Sequence, residues 1–205
     1  MSAAASFMYV DNNITKDLLI LTFSGRQQGL ATLTIFEFRK FLEENYPIYD
    51  KCYCRDEKIS WYTYGLTGIS YDINSTLIFL KDTIKDYKKV IFIGASMGGY
   101  AALLYGSLLN IDTIIAFRPQ THLTYLLDEY SIFKNIDINN VTNDTTKYYI
   151  YGDSAILDEY DIHSISHCRR LKIKNNINIK EIDNFDIKKY KDSGYLLDDF
   201  MKIID

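Results

Sequence analysis

The stretch from Val90 to Leu104, VIFIGASMGGYAALL, constrains this chain more than any other. Four apolar residues, Val90 to Ile93, lead into Gly94-Ala95-Ser96-Met97-Gly98-Gly99, and alanines and leucines at helical spacing follow. The pattern reads as a buried strand turning sharply into a helix, with Ser96 at the apex. A turn of this kind crowds the positions two before and two after the serine. Both are glycine, Gly94 and Gly98, the one residue type with no Cβ to clash. The serine hydroxyl is then exposed at the amino end of a helix whose free N–H groups, beginning with that of Met97, can hold an oxyanion. This is the geometry of a nucleophile elbow. The competing reading is a glycine-rich turn that carries a serine by coincidence. The apolar strand before it, the third glycine and the Ala/Leu helix after it weigh against coincidence.

The chain has 205 residues and is 47% hydrophobic, which suits one domain, residues 1–205, with a substantial core. A net charge of −4 with no basic block longer than two residues argues against a nucleic-acid partner. Apolar runs are only a few residues long, far from the roughly 20 needed to span a bilayer, so no membrane partner is expected. The start, MSAAASFMYVDNN, lacks a basic n-region and a sufficient apolar region, and the expected location is cytoplasmic. The three cysteines cannot all pair, and Cys52-Tyr53-Cys54 has no second half for a metal site; reduced thiols are the plain reading.

Strand-like apolar runs alternate with helical patterns along the chain. Strands are expected at Asp17 to Phe23, Ile48 to Arg55, Val90 to Ile93, Thr113 to Phe117, Lys147 to Tyr151 and Ile177 to Ile182. Thr34 to Leu42 fits a short strand or a helix. Asp72 to Tyr87 is amphipathic at 3,4 spacing, and Asn110 suits the C-terminus of the elbow helix. Asp158 to Leu171 resembles a helix with Ile162, Ile165 and Leu171 inward, and Lys188 to Ile204 closes the chain as a helix broken near Gly194. Residues 121–146, polar and poorly periodic, have the position of a lid. Near-continuous apolar strands between helices imply a mostly parallel sheet covered on both faces, a three-layer α/β sandwich with active residues at the carboxyl ends of the strands.

The order of parts resembles the α/β-hydrolase superfamily from about Leu18 onward: the loop Phe23-Ser24-Gly25 after an early strand, the elbow Gly94-Ala95-Ser96-Met97-Gly98, and Tyr151-Gly152-Asp153 after a later strand. Within it, the Phe-Ser-Gly loop, Arg55-Asp56 followed by Trp61-Tyr62, and the elbow continuing as Gly-Tyr-Ala-Ala-Leu look like bacterial members linked to polysaccharide or glycoprotein modification. The resemblance implies an oxyanion site from the backbone N–H groups of Ser24, Gly25 and Met97, an acid at Asp153, and a histidine after the last strand. That last loop is Asp183-Asn184-Phe185-Asp186 and holds none.

A serine needs a neighbouring base, and the imidazoles on offer are His122, His163 and His167. His122 follows the strand beside the elbow strand, so a loop can carry it over Ser96; the bland reading is a lid or surface histidine. His163, a candidate displaced base, stands near a helix start at the top of the sheet, at a place expected to be too far from the elbow. His163 and His167 are four apart on one expected helical face, yet no matching ligand set completes a metal site, and no metal or cofactor is expected. Asp153 is the better acid and Asp158 the second, its bland role being a helix N-cap. Arg55 and Asp56 read as a loop-fixing pair, and Trp61, Tyr62 and Tyr64 as either a ligand wall or packed core.

Two functions remain open. One is a serine esterase or acyltransferase working through an acyl-enzyme on Ser96, with a small-molecule or glycan substrate. The other is a fold kept for binding after catalysis is lost. Homo-oligomerisation stays open.

Overall fold

The computed structural model describes residues 6–12, 15–26, 36–124, 135–171 and 175–204. Among these residues seven strands, β1 (Phe7–Val10), β2 (Leu18–Phe23), β3 (Asp50–Cys54), β4 (Lys89–Ala95), β5 (Thr113–Phe117), β6 (Lys147–Asp153) and β7 (Ile177–Ile182), form one sheet in the order β1-β3-β2-β4-β5-β6-β7. All neighbours pair in parallel except β1, which lies antiparallel to β3 at one edge. The central strands β2, β4 and β5 are mostly apolar and almost wholly buried because both of their faces are covered. Leu19, Leu21 and Phe23 of β2, with Val90 and Phe92 of β4, face one layer; Leu18, Ile20, Ile91 and Ile93 face the other.

Among the described residues six helices supply those layers: α1 (Arg39–Asn45), α2 (Ile73–Ile84), α3 (Met97–Leu109), α4 (Ile165–Arg169), α5 (Ile187–Asp192) and α6 (Tyr195–Ile204). The first core takes Ile73 and Leu80 of α2, Leu103 and Leu104 of α3, and Ile165 and Cys168 of α4. The second takes Phe41 and Leu42 of α1, Tyr190 of α5, and Leu196, Phe200 and Ile204 of α6. This is the three-layer sandwich that the sequence implies. Helix α3 is buried from Met97 to Ser107, which explains why its sequence is apolar all round and lacks an amphipathic stripe. Helix α2 starts at the Asp72 cap, whose carboxylate accepts the Ser75 N–H while the Ser75 hydroxyl answers the Asp72 N–H. Asn110 ends α3 in the left-handed region, φ 53°, and Gly194, φ 86°, separates α5 from α6 where the break is expected.

Two expectations, both within 158–171, are corrected. The helix foreseen over 158–171 is confined to α4, and Ser164 caps it. Ahead of it, Asp158 Oδ1 accepts the Tyr160 N–H and Asp161 Oδ1 accepts the His163 N–H, so side-chain turns hold the backbone that the periodic Ile162 and Ile165 suggested for a helix. Asp158 is therefore no helix cap. The segment foreseen over 34–42 becomes helical at Arg39, its first two residues lying outside the described ones. Strand β1 is a further element that local pattern did not reveal. Of the expected lid, 121–146, residues 125–134 lie outside the described residues; the remainder includes a short 3-10 turn at Ile138–Asn140. Cys52, Cys54 and Cys168 are buried. Among the described residues no helix is long and apolar enough to cross a membrane.

Candidate active site

Strand β4 delivers Ser96 to the carboxyl edge of the sheet with φ 52° and ψ −119°, a strained conformation for a residue with a side chain. Two bonds hold it there: the Ser96 N–H donates to Phe117 O at 2.9 Å, and Ser96 O accepts the Tyr100 N–H at 3.0 Å. The close approach explains the glycines. A Cβ on Gly94 would lie 2.1 Å from Gly98 O, and one on Gly98 would lie 2.0 Å from Phe23 O. Ser96 is thus at the tip of an elbow, with the Met97 N–H as the first amide of α3 and no acceptor for it inside the helix.

The imidazole that meets Ser96 is His163. Its Nε2 lies 2.8 Å from Ser96 Oγ. It comes from the loop between β6 and α4, so it is on no helix and does not share a helical face with His167. Burial holds His163 below the ordinary histidine range, the Arg118 guanidinium adds to that, and the Asp161 carboxylate opposes it. A neutral imidazole near pH 7 is the form that can take a proton from a hydroxyl.

The other two histidines are engaged elsewhere. His122 Nδ1 lies 2.8 Å from Thr124 Oγ1, and its ring packs on that of His167 at 4.9 Å between centroids. His167 is buried, its Nδ1 accepts the Thr121 N–H at 3.1 Å, and burial together with the neighbouring charges pushes it down to about 4. Among the described residues no group of three or more potential ligands is placed to hold a metal ion.

Asp153 ends β6 as foreseen, but its Oδ1 accepts the Ala155 N–H at 3.0 Å and closes the turn into the His163 loop. The carboxylate whose charge bears on His163 is Asp161. It also accepts the His163 N–H at 2.7 Å, which fixes the backbone that presents the ring. Asp158, exposed, is spent on its own turn.

Sequence reasoning missed Gln120. It is buried, and its side chain touches three parts of the site: Oε1 accepts the Trp61 indole N–H at 2.9 Å, while Nε2 donates to Ile162 O at 2.8 Å and lies 3.4 Å from Ser96 Oγ. The indole can only donate, so it fixes which end of the amide points at the serine. The signal available in sequence was position alone: Arg118-Pro119-Gln120 directly follows β5, at the edge where active residues gather. Trp61 and Tyr62 are buried core, not a ligand wall, while Tyr64 is partly exposed. Their loop is built around Asp56, whose carboxylate accepts the N–H groups of Lys58, Ser60 and Tyr62. That accounts for left-handed Ile59, Trp61 and Tyr62 in one short loop. Arg55 pairs with Glu57 at 3.4 Å.

The expected oxyanion donors divide. The Ser24 N–H is consumed by Cys54 O at 3.0 Å, because the β2–β3 pairing runs one residue past Phe23, so Ser24 is not a donor. The Gly25 N–H points to Glu37 Oε2 at 2.6 Å. Met97 remains. The cavity over Ser96, about 450 Å³, is lined by Gly25, Glu37, Arg118, His163 and Phe185 among others.

Compared with solved structures, the chain superposes on a histidine-to-alanine mutant of the capsule O-acetyltransferase of Neisseria meningitidis serogroup A in complex with CoA, with a TM-score of 0.64 and 18% identity over 93% of this chain and 90% of that one. It matches the Pf2001 esterase of Pyrococcus furiosus with a TM-score of 0.59 and 15% identity over 97% of this chain and 85% of that one. This chain has the α/β-hydrolase fold. A chain of the glycosylation-associated protein complex of Streptococcus agalactiae also aligns, with a TM-score of 0.63 and 14% identity, over all of this chain but 45% of that longer one. No protein-family model matches, and no curated protein matches significantly. At these identities the α/β-hydrolase likeness is one of fold.

Proposed function

We propose that this protein is a serine-dependent esterase or acyltransferase that acts on an acylated small molecule or glycan through an acyl-enzyme on Ser96. The observation that carries the proposal is the 2.8 Å contact between Ser96 Oγ and His163 Nε2 at the tip of an elbow. In this reading His163 takes the hydroxyl proton as Oγ attacks the ester carbonyl, and the Met97 N–H supports the oxyanion. Collapse expels the alcohol, which leaves with the proton from His163. Water or an acceptor hydroxyl then gives its proton to His163, attacks the acyl carbon and frees Ser96. Asp161 favours the transient imidazolium through its charge and fixes the backbone that carries the ring.

The α/β-hydrolase-fold neighbours support ester chemistry in general, and two of the three similar proteins carry names concerned with capsule or glycosylation, which favours the glycan side of the reading. The alternative, a fold retained for binding alone, drew its strength from the missing histidine after the last strand. His163 reaches the serine from another loop and removes that ground.

A fluorophosphonate probe tests the proposal. Wild type is expected to be labelled at Ser96, as mapped by peptide mass spectrometry, and Ser96→Ala to be unlabelled. A folded wild type that resists the probe would sink the enzymatic reading.

A further inference from the structure

Glu37 is a carboxyl group in the cavity that the mechanism above does not use. Its main chain is tied to the end of β2: the Glu37 N–H donates to Ser24 Oγ at 3.1 Å, and Glu37 O accepts the Thr22 hydroxyl at 3.3 Å. Its side chain therefore has a fixed origin, and it turns to the Gly25 N–H at 2.6 Å. Gly25 itself is wedged between this carboxyl and the elbow. A Cβ on it would lie 2.9 Å from Ala95 O and 3.2 Å from Glu37 Oε2. The carboxyl thus stands across Gly25 from the residue preceding Ser96, and it lines the same cavity as Ser96 and His163.

This arrangement conflicts with a simple oxyanion site. With Ser24 committed to the sheet, Gly25 is the one donor left from the post-β2 loop among those expected, and Glu37 has taken it. An ionised carboxylate at that place would repel the negative charge that develops on the substrate oxygen. A neutral carboxylic acid would do the opposite. Its carbonyl-like Oε2 can keep the Gly25 N–H, while a proton on Oε1 makes that oxygen a donor.

We infer that Glu37 is a further catalytic residue: as a neutral acid it rests Oε2 on the Gly25 N–H and donates its Oε1–H to the carbonyl oxygen of the ester held over Ser96. It then completes the oxyanion site together with the Met97 N–H. The inference deepens the acyl-enzyme reading and rests on it. No net proton transfer is involved. The proton stays on Glu37, is shared most strongly as the tetrahedral oxyanion forms, and relaxes when the carbonyl is restored.

The surroundings agree with this role. Burial pushes the Glu37 carboxyl up to about 7, only partly opposed by the Gly25 N–H, so the neutral acid is abundant at and below neutrality. The titratable and charged groups about it are the Arg26 and Arg118 side chains and the His163 imidazole on the cavity wall, the buried Tyr62 phenol, which donates to Ser24 O, and Arg39, Lys40, Lys188 and Lys191 along the adjoining cleft that Glu37 also lines. An oxyanion nearby would raise the carboxyl further and hold the proton more firmly.

The test is the second-order rate of fluorophosphonate labelling at Ser96 across pH 5.5 to 9, for wild type, Glu37→Gln and Glu37→Met, each checked for an unchanged melting transition. Wild type is expected to slow above pH about 7 as Glu37 ionises. Glu37→Met, with no donor, is expected to be about 100-fold slower than wild type at pH 6. Glu37→Gln keeps an N–H donor, so it is expected to regain at least about tenfold over Glu37→Met and to lose the alkaline decline. A Glu37→Met protein that labels as fast as wild type or faster overturns the inference, since the carboxyl is then a plug or a bystander. A Glu37→Gln protein that keeps the alkaline decline overturns it as well, and does so even if Glu37→Met fails to fold. A folded wild type that never labels removes the acyl-enzyme reading and this inference together, a result distinct from either failure of Glu37 alone.

Discussion

Ser96 Oγ and His163 Nε2 stand 2.8 Å apart across 67 residues of sequence, joined from the ends of two strands that are not neighbours. Between β4, which carries the serine, and β6, which leads to the histidine, lies β5, and the residues just after β5 fill the gap. Gln120 does so with its side chain, and Arg118 ties its N–H to Tyr151 O at 2.7 Å. The site is therefore built across three adjacent strand ends.

His163→Gln is expected to slow labelling of Ser96 by about 10³-fold. The pH profile carries the sharper information. Burial and then Arg118 lower the His163 value, so the neutral base persists below pH 6.5 and the acid limb of the rate profile should lie on the acid side of 6.5. Arg118→Met removes a positive neighbour, so that limb should move to higher pH in stopped-flow labelling. An unmoved limb would mean that another group controls it.

Gln120→Leu is expected to cost about 10- to 100-fold in labelling rate with the fold retained, because the serine and the His163 loop lose their shared anchor. Trp61→Phe frees the amide to rotate and should cost less. A double-mutant cycle should show strong non-additivity, since both changes act on one hydrogen-bonded unit. Additive effects would separate the two residues.

Gly98→Ala is expected to destabilise the protein by about 3 kcal/mol or more in urea unfolding, because the added carbon would meet Phe23 O at 2.0 Å and neither backbone can yield cheaply. Gly68→Ala provides the contrast. Gly68 has φ 78° but open space around it, so strain alone should cost about 1–2 kcal/mol.

The elbow, the parallel strands and the break at Gly194 were legible because each is written in a local pattern: glycines at fixed offsets, apolar runs, a punctuating residue in a helical stretch. Strand β1 was not, since four residues at a sheet edge gain their identity from antiparallel pairing with β3. The site was half legible. Ser96 is announced by its neighbours, whereas His163 is placed by turns at Asp158 and Asp161 that override a helical period. Gln120 and Glu37 carry no motif. Their importance comes from what the fold sets beside them, Trp61 and Ile162 in one case and Gly25 in the other.

In the proposed reading the imidazole comes from the β6 loop, which leaves the loop after β7 without a part in proton transfer. Phe185 stacks there against Phe117 and Tyr151, and with Ile187 it faces the cavity as wall. The stretch that the superfamily's order of parts reserves for its base is, in this chain, tied by the buried Phe185 into the aromatic core beneath the cavity, so a change there would reshape the cavity wall and the packing behind it together.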